Sequence, residues 1–229
     1  MLDAFSPAIT TLNIGITILI LATFSFFSYR KKLLNTTGII IADIIGIIAF
    51  IRGGFLAFTT LVVFYIIAEA ATKIAREDHK KHEQRTTANI IGNSGAAIIA
   101  LFLGQGIAFF GAISAALADT VSSEIGMLSK KNPVLITSFK KVEKGTDGGI
   151  TLLGTIAGII AAALIGLLFY FTISPNGALA IVIAGILGTI IDSLLGATLE
   201  RKGILNNTQV NFLASSSGAI IAFLLSGII

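Results

Sequence analysis

Cysteine and tryptophan are both absent from this chain, and histidine, methionine and proline are nearly so. Without a thiol there is no disulfide framework, no thiolate nucleophile and no thiolate metal site. The two histidines, His79 and His82, stand in the charged stretch "REDHKKHEQR", where solvated imidazoles are expected rather than metal ligands. With no tryptophan, an aromatic belt at a membrane surface must come from phenylalanine and three tyrosines. Charge is scarce too. Only 12% of the 229 residues are Asp, Glu, Lys or Arg, about half the share usual in a soluble domain.

What fills the space is apolar. The chain is 55% hydrophobic, with a mean hydropathy of +0.94. This composition describes an integral membrane protein with most of its mass in the bilayer, read as a single domain over residues 1–229. Eight apolar runs are visible: Ala8–Ser28, Gly38–Ile51, Gly53–Ala71, Ala88–Leu103, Gly106–Ala118, Ile150–Ile173, Gly177–Leu195 and Phe212–Ile228. The fold class is therefore all-α, a polytopic bundle of about seven or eight membrane segments. A full span needs about 20 residues, so Gly38–Ile51 and Gly106–Ala118 are short and are expected to be tilted, half-inserted or re-entrant.

Basic residues set the orientation. Clusters follow the first, third, fifth and seventh runs, and when all eight runs span, only Arg52 among the Lys and Arg residues falls on the opposite side. The positive-inside rule then puts the basic loops in the cytoplasm and the N-terminus outside, with the cell membrane as the expected location. The net charge of +4 reflects this orientation and contact with lipid headgroups, not nucleic acid. The first run has no basic residues before it, so it reads as a retained helix rather than a cleaved signal.

The informative residues are carboxylates inside apolar runs, since a charge at the bilayer centre costs about 2.5–3.5 kcal/mol even on a lenient scale. Glu69 lies one turn from Lys73 and reads as an ion pair. Asp43 stands alone in "GIIIADIIGIIAF" and could pair with a polar neighbour. Asp119, Glu124 and Asp192 are surrounded by hydroxyls and glycines in "AALADTVSSEIG" and "GTIIDSLLGATLE". On an ideal helix Asp119 and Glu124 are about 140° apart, so one ion reaches both only with a helix break, or the two serve adjacent subsites. Hard oxygens without His or Cys favour Mg²⁺, and Mg²⁺ on one or two carboxylates usually has phosphate as a further ligand.

The stretch "KKVEKGTDGGITLLGTIAG" begins as a cationic, glycine-rich loop and enters an apolar helix. Backbone N–H groups and the helix dipole at such a junction favour an anion. It lacks Walker A spacing. Glycines also permit close helix packing, as the Gly154–Gly158 spacing would, and lysines at a membrane edge also anchor to headgroups. Asp147 stands three residues before Ile150, where it suits an N-cap.

The segments "ADTVSSEIG", "ITSFKKVEKGTDGGITLLGTIAG", "DSLLGATLE" and "NNTQVNFLASSSGA" resemble the membrane family that contains plant phytyl-phosphate kinase and vertebrate transmembrane protein 19. The resemblance runs from about Arg85 to the C-terminus. Where that family has Asp-Thr-Trp-Ala-Ser-Glu-Ile-Gly, Val121 and Ser122 replace Trp and Ala. Its upstream motif appears here as "RTTANIIGN", in which Arg85 and Asn93 fit and Thr86 and Asn89 depart. The resemblance implies a CTP-dependent kinase that converts an isoprenoid monophosphate to the diphosphate. It implies Mg²⁺ on Asp119, Glu124 and Asp192. Lys140, Lys144, Gly145, Thr146, Gly148 and Gly149 would cradle nucleotide phosphate, with Arg85, Asn93 and Asn211 completing the polar set. A lipid-phosphate cytidylyltransferase shares these partners, and a cation- or proton-coupled transporter would share the intramembrane acids. Both remain alternatives, although a cation pathway has no use for the lysine-rich loop.

Overall fold

A pair of glycines decides the first half of the architecture. The computed structural model describes residues 10–78 and 87–228. His79, His82 and Arg85 lie outside the described residues. Helix α1 (Thr11–Arg30) leads to α2 (Thr36–Asp78), whose backbone leaves helical geometry at Gly54 (φ 69°, ψ −171°). A φ of that sign is open to glycine and strained for other residues. The helix folds back there into two arms. Phe50 and Phe58 stack edge to face with centroids 6.5 Å apart, and Phe24 and Ser25 of α1 touch Tyr65 and Asp43, one from each arm. In a straight helix Asp43 and Tyr65 would be about 33 Å apart. The two apolar runs read from the sequence are therefore two arms joined without a loop.

Helix α3 (Thr87–Phe102) and α4 (Gly106–Met127) follow, then α5 (Leu152–Thr172), α6 (Ala178–Leu195) and α7 (Asn207–Leu225). Helix α4 is central: the second arm of α2 and helices α3, α5, α6 and α7 all pack around it. Residues 107–118 of α4 are buried throughout. Small residues permit this. A Cβ on Gly111 would come within 2.5 Å of the Gly218 carbonyl oxygen, so α4 and α7 approach backbone to backbone.

The run Gly106–Ala118 is not short or re-entrant. It is the first half of a 22-residue helix that continues through the acidic motif, about 33 Å in length. The apolar pattern stops at Asp119 because the helix there turns from core to cavity. The first arm of α2, residues 36–53, is about 27 Å long, just under the ~30 Å hydrocarbon thickness. Among the described residues, six helices are long and apolar enough to cross a membrane. The protein is a multi-pass integral membrane protein.

The connections place one end of the bundle apart from the other. Arg52 donates to the Phe102 carbonyl at 3.1 Å, which joins the α2 fold-back to the end of α3. At the opposite end, Thr72 meets Glu124 and Lys144 meets Met127. The described basic residues after α1, in the α4–α5 connection and after α6 share this second end.

Candidate active site

The α4–α5 connection is a folded strap. Strand β1 (Val134–Leu135) pairs antiparallel with β2 (Gly149–Ile150), and the Ile136 N–H donates to the Gly148 carbonyl at 3.0 Å. Pairing at Gly149–Ile150 postpones helix α5, and the N-cap falls on Thr151, whose hydroxyl accepts from the Gly154 N–H at 3.0 Å. Asp147 is thus not the cap; it lies near the carboxylates of Asp192 and Glu200. The strap rests on a five-residue π-helix, Gly196–Glu200, that continues α6. Gly148 has a φ of +73° and lies so close to Ala197 that no side chain fits. Its tight approach is therefore to this chain's own backbone. Gly154 and Gly158 do serve packing: added Cβ atoms would meet the carbonyl oxygens of Ser122 and Ala118 at 2.5 and 3.0 Å.

Beneath the strap is a polar cavity of about 460 Å³. Helix α4 supplies Asp119, Thr120, Ser123 and Glu124; α6 and its π extension supply Asp192, Ser193 and Glu200. The strap supplies Lys144, Gly145, Thr146, Asp147, Gly148 and Gly149, and α3 and α7 supply Asn89, Asn93, Asn207 and Asn211. Ten of the residues expected from the sequence thus line one chamber. Lys140 does not: it is exposed on the outer turn of the strap.

The acids divide as helix geometry requires. The carboxyl groups of Asp119 and Asp192 meet in a hydrogen bond across the α4–α6 interface. Such a contact needs a shared proton or, in its place, a cation. Asp192 Oδ2 is buried and accepts no hydrogen bond. Glu124, on the other side of α4, accepts from Thr72 Oγ1 at 2.8 Å. Among the described residues no three acidic or imidazole side chains converge as a ligand set. The Asp119–Asp192 pair with its orphan oxygen suits Mg²⁺, which is commonly held by one or two carboxylates plus phosphate and water.

Two helices begin at this chamber. Asn206 and Gln209 form a reciprocal capping box that starts α7, which frees Asn207 and Asn211 to face inward; Asn207 also hydrogen-bonds Glu200. Helix α5 begins beside them at Thr151. Their positive dipole ends favour anions, whereas α4 and α6 deliver carboxylates that favour cations. Lys144 Nζ donates to the Met127 carbonyl at 2.8 Å, capping the C-terminal end of α4 at the cavity wall.

Sequence reasoning missed Glu200, Asn207 and Thr72. Glu200 closes the quoted "DSLLGATLE", but only the π turn, with the Arg201 N–H donating to the Gly196 carbonyl, carries it to the cavity wall. Asn89 departs from the resembled motif, yet it lines the cavity as Asn93 does. Asp43 takes no part. It accepts from Ser25 at 2.5 Å and ties α1 to α2. Val121, where the resembled motif has tryptophan, is buried in the core and does not face the cavity.

Residues 19–219 match the integral membrane protein family DUF92. An uncharacterised membrane protein of Methanocaldococcus jannaschii is 37% identical, the match covering 94% of this chain and 95% of that protein. Protein PGR of Arabidopsis thaliana is 31% identical over 81% of this chain and 78% of its own length. Protein VTE6, chloroplastic, of the same plant is 32% identical over 84% of this chain and 65% of its own length. No solved structure matches. The chain belongs to the DUF92 family of integral membrane proteins, the family that its acidic and glycine-rich motifs resemble.

Proposed function

We propose that this protein is a kinase that transfers the terminal phosphoryl group of a nucleoside triphosphate, CTP by family resemblance, to an isoprenoid monophosphate at the cytoplasmic face of the membrane. A lipid phosphate oxygen attacks the terminal phosphorus, a new P–O–P bond forms, the bond to the β-phosphate oxygen breaks and the nucleoside diphosphate leaves. One observation carries the reading: a carboxylate pair on α4 and α6 faces the N-termini of α5 and α7 across one polar chamber. Phosphoryl transfer needs positioning and charge neutralisation more than covalent chemistry, and this inventory provides both kinds of group.

Asp119 and Asp192 would hold Mg²⁺, with Asp147 and Glu200 nearby and Glu124 on the other side of α4. The ion would neutralise charge on the transferred group when bound. Thr151, Asn207 and Asn211 offer donors to phosphate oxygens, whereas the Thr146 hydroxyl and N–H both donate to the Glu143 carbonyl. Lys144 sets a positive charge at the rim. No side chain need act as nucleophile, since the attacking phosphate is already ionised.

The test is an assay of the purified full chain with CTP, Mg²⁺ and a panel of prenyl monophosphates, with products identified by mass. Prenyl diphosphate and CDP are expected. A CDP-linked lipid with pyrophosphate would make the protein a cytidylyltransferase. Absence of any nucleotide- and Mg²⁺-dependent product across the panel would overturn the reading.

A further inference from the structure

A second cavity, of about 130 Å³, lies between α1, both arms of α2 and α3. Its lining is of the opposite character: Leu21 and Phe24 from α1, Ala42 from the first arm, and Phe58, Leu61 and Phe64 from the second. The two cavities are continuous in their walls, because Asn89 and Asn93 line both. Asn93 is buried, at 8% exposure. A pair of amide side chains therefore stands where a chamber built for charge gives way to a slot built for hydrocarbon.

Few ligands match that sequence of surfaces. A free nucleotide has no use for the apolar slot, and a fully apolar lipid has none for the polar chamber. An amphiphile with a phosphate at one end and a single hydrocarbon chain uses both. We infer that the slot between α1, α2 and α3 holds the hydrocarbon chain of the lipid phosphate substrate, with Asn89 and Asn93 at the junction of chain and phosphate. The inference rests on the kinase reading for the fate of the phosphate; it deepens that reading by giving the chain a place and a length limit.

The limit comes from the fold-back of α2. Phe58, at 1% exposure, packs against Phe50 and the backbone of Gly46 and lines the slot one helical turn after the fold-back at Gly54. Tyr65, which also lines the slot, stands seven positions after Phe58 on the second arm, so the lined depth is about 10 Å. Each methylene buried there raises affinity about fourfold, until the slot is full. Chain beyond that depth gains nothing further.

The test uses the purified full chain with dimethylallyl, geranyl and geranylgeranyl phosphates. Ala42→Phe places a ring in the slot. The expected result is a fall of about tenfold or more in the ratio of kcat/KM for geranylgeranyl over dimethylallyl phosphate, expressed through the lipid KM rather than the nucleotide KM. An unchanged ratio in the folded variant overturns the inference. A second measurement needs no turnover: geranyl phosphate carrying a terminal diazirine is photo-crosslinked to the unmodified chain and the adducts are mapped by mass. Adducts on the Phe58–Phe64 stretch, displaced by geranylgeranyl phosphate, are expected. Adducts on the outer faces of α5 and α6 overturn the inference, and so does equal displacement by phosphatidylglycerol, which would make the slot a general lipid crevice. If none of the three phosphates is turned over, the kinase reading fails while the crosslink still decides the slot.

Discussion

At the scale of single residues, the site is a problem of charge. Asp119 and Asp192 touch, and Asp147 and Glu200 lie within electrostatic range, so the chain holds four carboxylates together. Like charges so placed destabilise the protein that carries them unless a cation or proton intervenes. Asp192→Asn should therefore melt no lower than the parent in detergent without Mg²⁺, while losing most of the stabilisation that Mg²⁺ confers. Turnover should fall by roughly 10²–10³, the range for removing one preorganised group that meets developing charge. A clear drop in melting temperature without Mg²⁺ would show that Asp192 is a packing residue. Asp119 and Asp192 were legible in the sequence because acids are conspicuous in apolar runs. Their pairing was not, since it joins residues from different helices across an interface that no spacing rule describes.

At the scale of elements, the strap shows where reading by residue type stops. Its glycines and lysines pointed to the right place, but their tasks differ. Gly145 has a φ of +83° and open space around it, whereas Gly148 combines φ +73° with contact against Ala197. Alanine at Gly145 meets only the conformational penalty, about 1–2 kcal/mol for a left-handed residue. Alanine at Gly148 meets that penalty and a backbone collision, and it should lift the strap off the π-helix. Limited trypsin digestion separates the two: Gly148→Ala is expected to be cut at Lys140, Lys141 and Lys144 much faster than the parent, Gly145→Ala only slightly faster. Equal protection of both variants would mean that the strap is held elsewhere. Lys144→Ala belongs to the same scale, since its amine both caps α4 and lines the cavity. A weaker nucleotide KM with little change in melting is expected, because one exposed charge-assisted bond contributes little to stability. The two-residue strands and the π-helix were not legible, because nothing in four strand residues or in "GATLE" separates them from an ordinary loop and an ordinary α-helix end.

At the scale of the whole molecule, the fold and the charge pattern make the same statement about topology. Eight apolar runs thread back and forth only if the chain reverses at Gly53–Gly54 with no loop, and the structure reverses there. If α2 ran straight, Arg30–Lys32 and Lys73 would stand at opposite ends and the charge asymmetry would vanish. With the reversal, the described basic residues apart from Arg52 gather at the cavity end, and Arg52 is held by the Phe102 carbonyl and lies over its ring at 5.2 Å. The chain has no cysteine, so single cysteines report without background. Lys141 and Lys202 are exposed at the cavity end, and Asn176 is exposed in the turn between α5 and α6 at the other. In sealed right-side-out vesicles an impermeant maleimide should label Asn176→Cys and spare Lys141→Cys and Lys202→Cys, with all three reacting after permeabilisation. Labelling of Lys141→Cys and Lys202→Cys from outside, with Asn176→Cys spared, would keep the fold and invert the orientation, which places the nucleotide site on the wrong side for a cytoplasmic triphosphate. Labelling of Lys141→Cys without Lys202→Cys would break the fold itself, because α5 and α6 would then not form an antiparallel pair and Asp119 and Asp192 could not share one chamber.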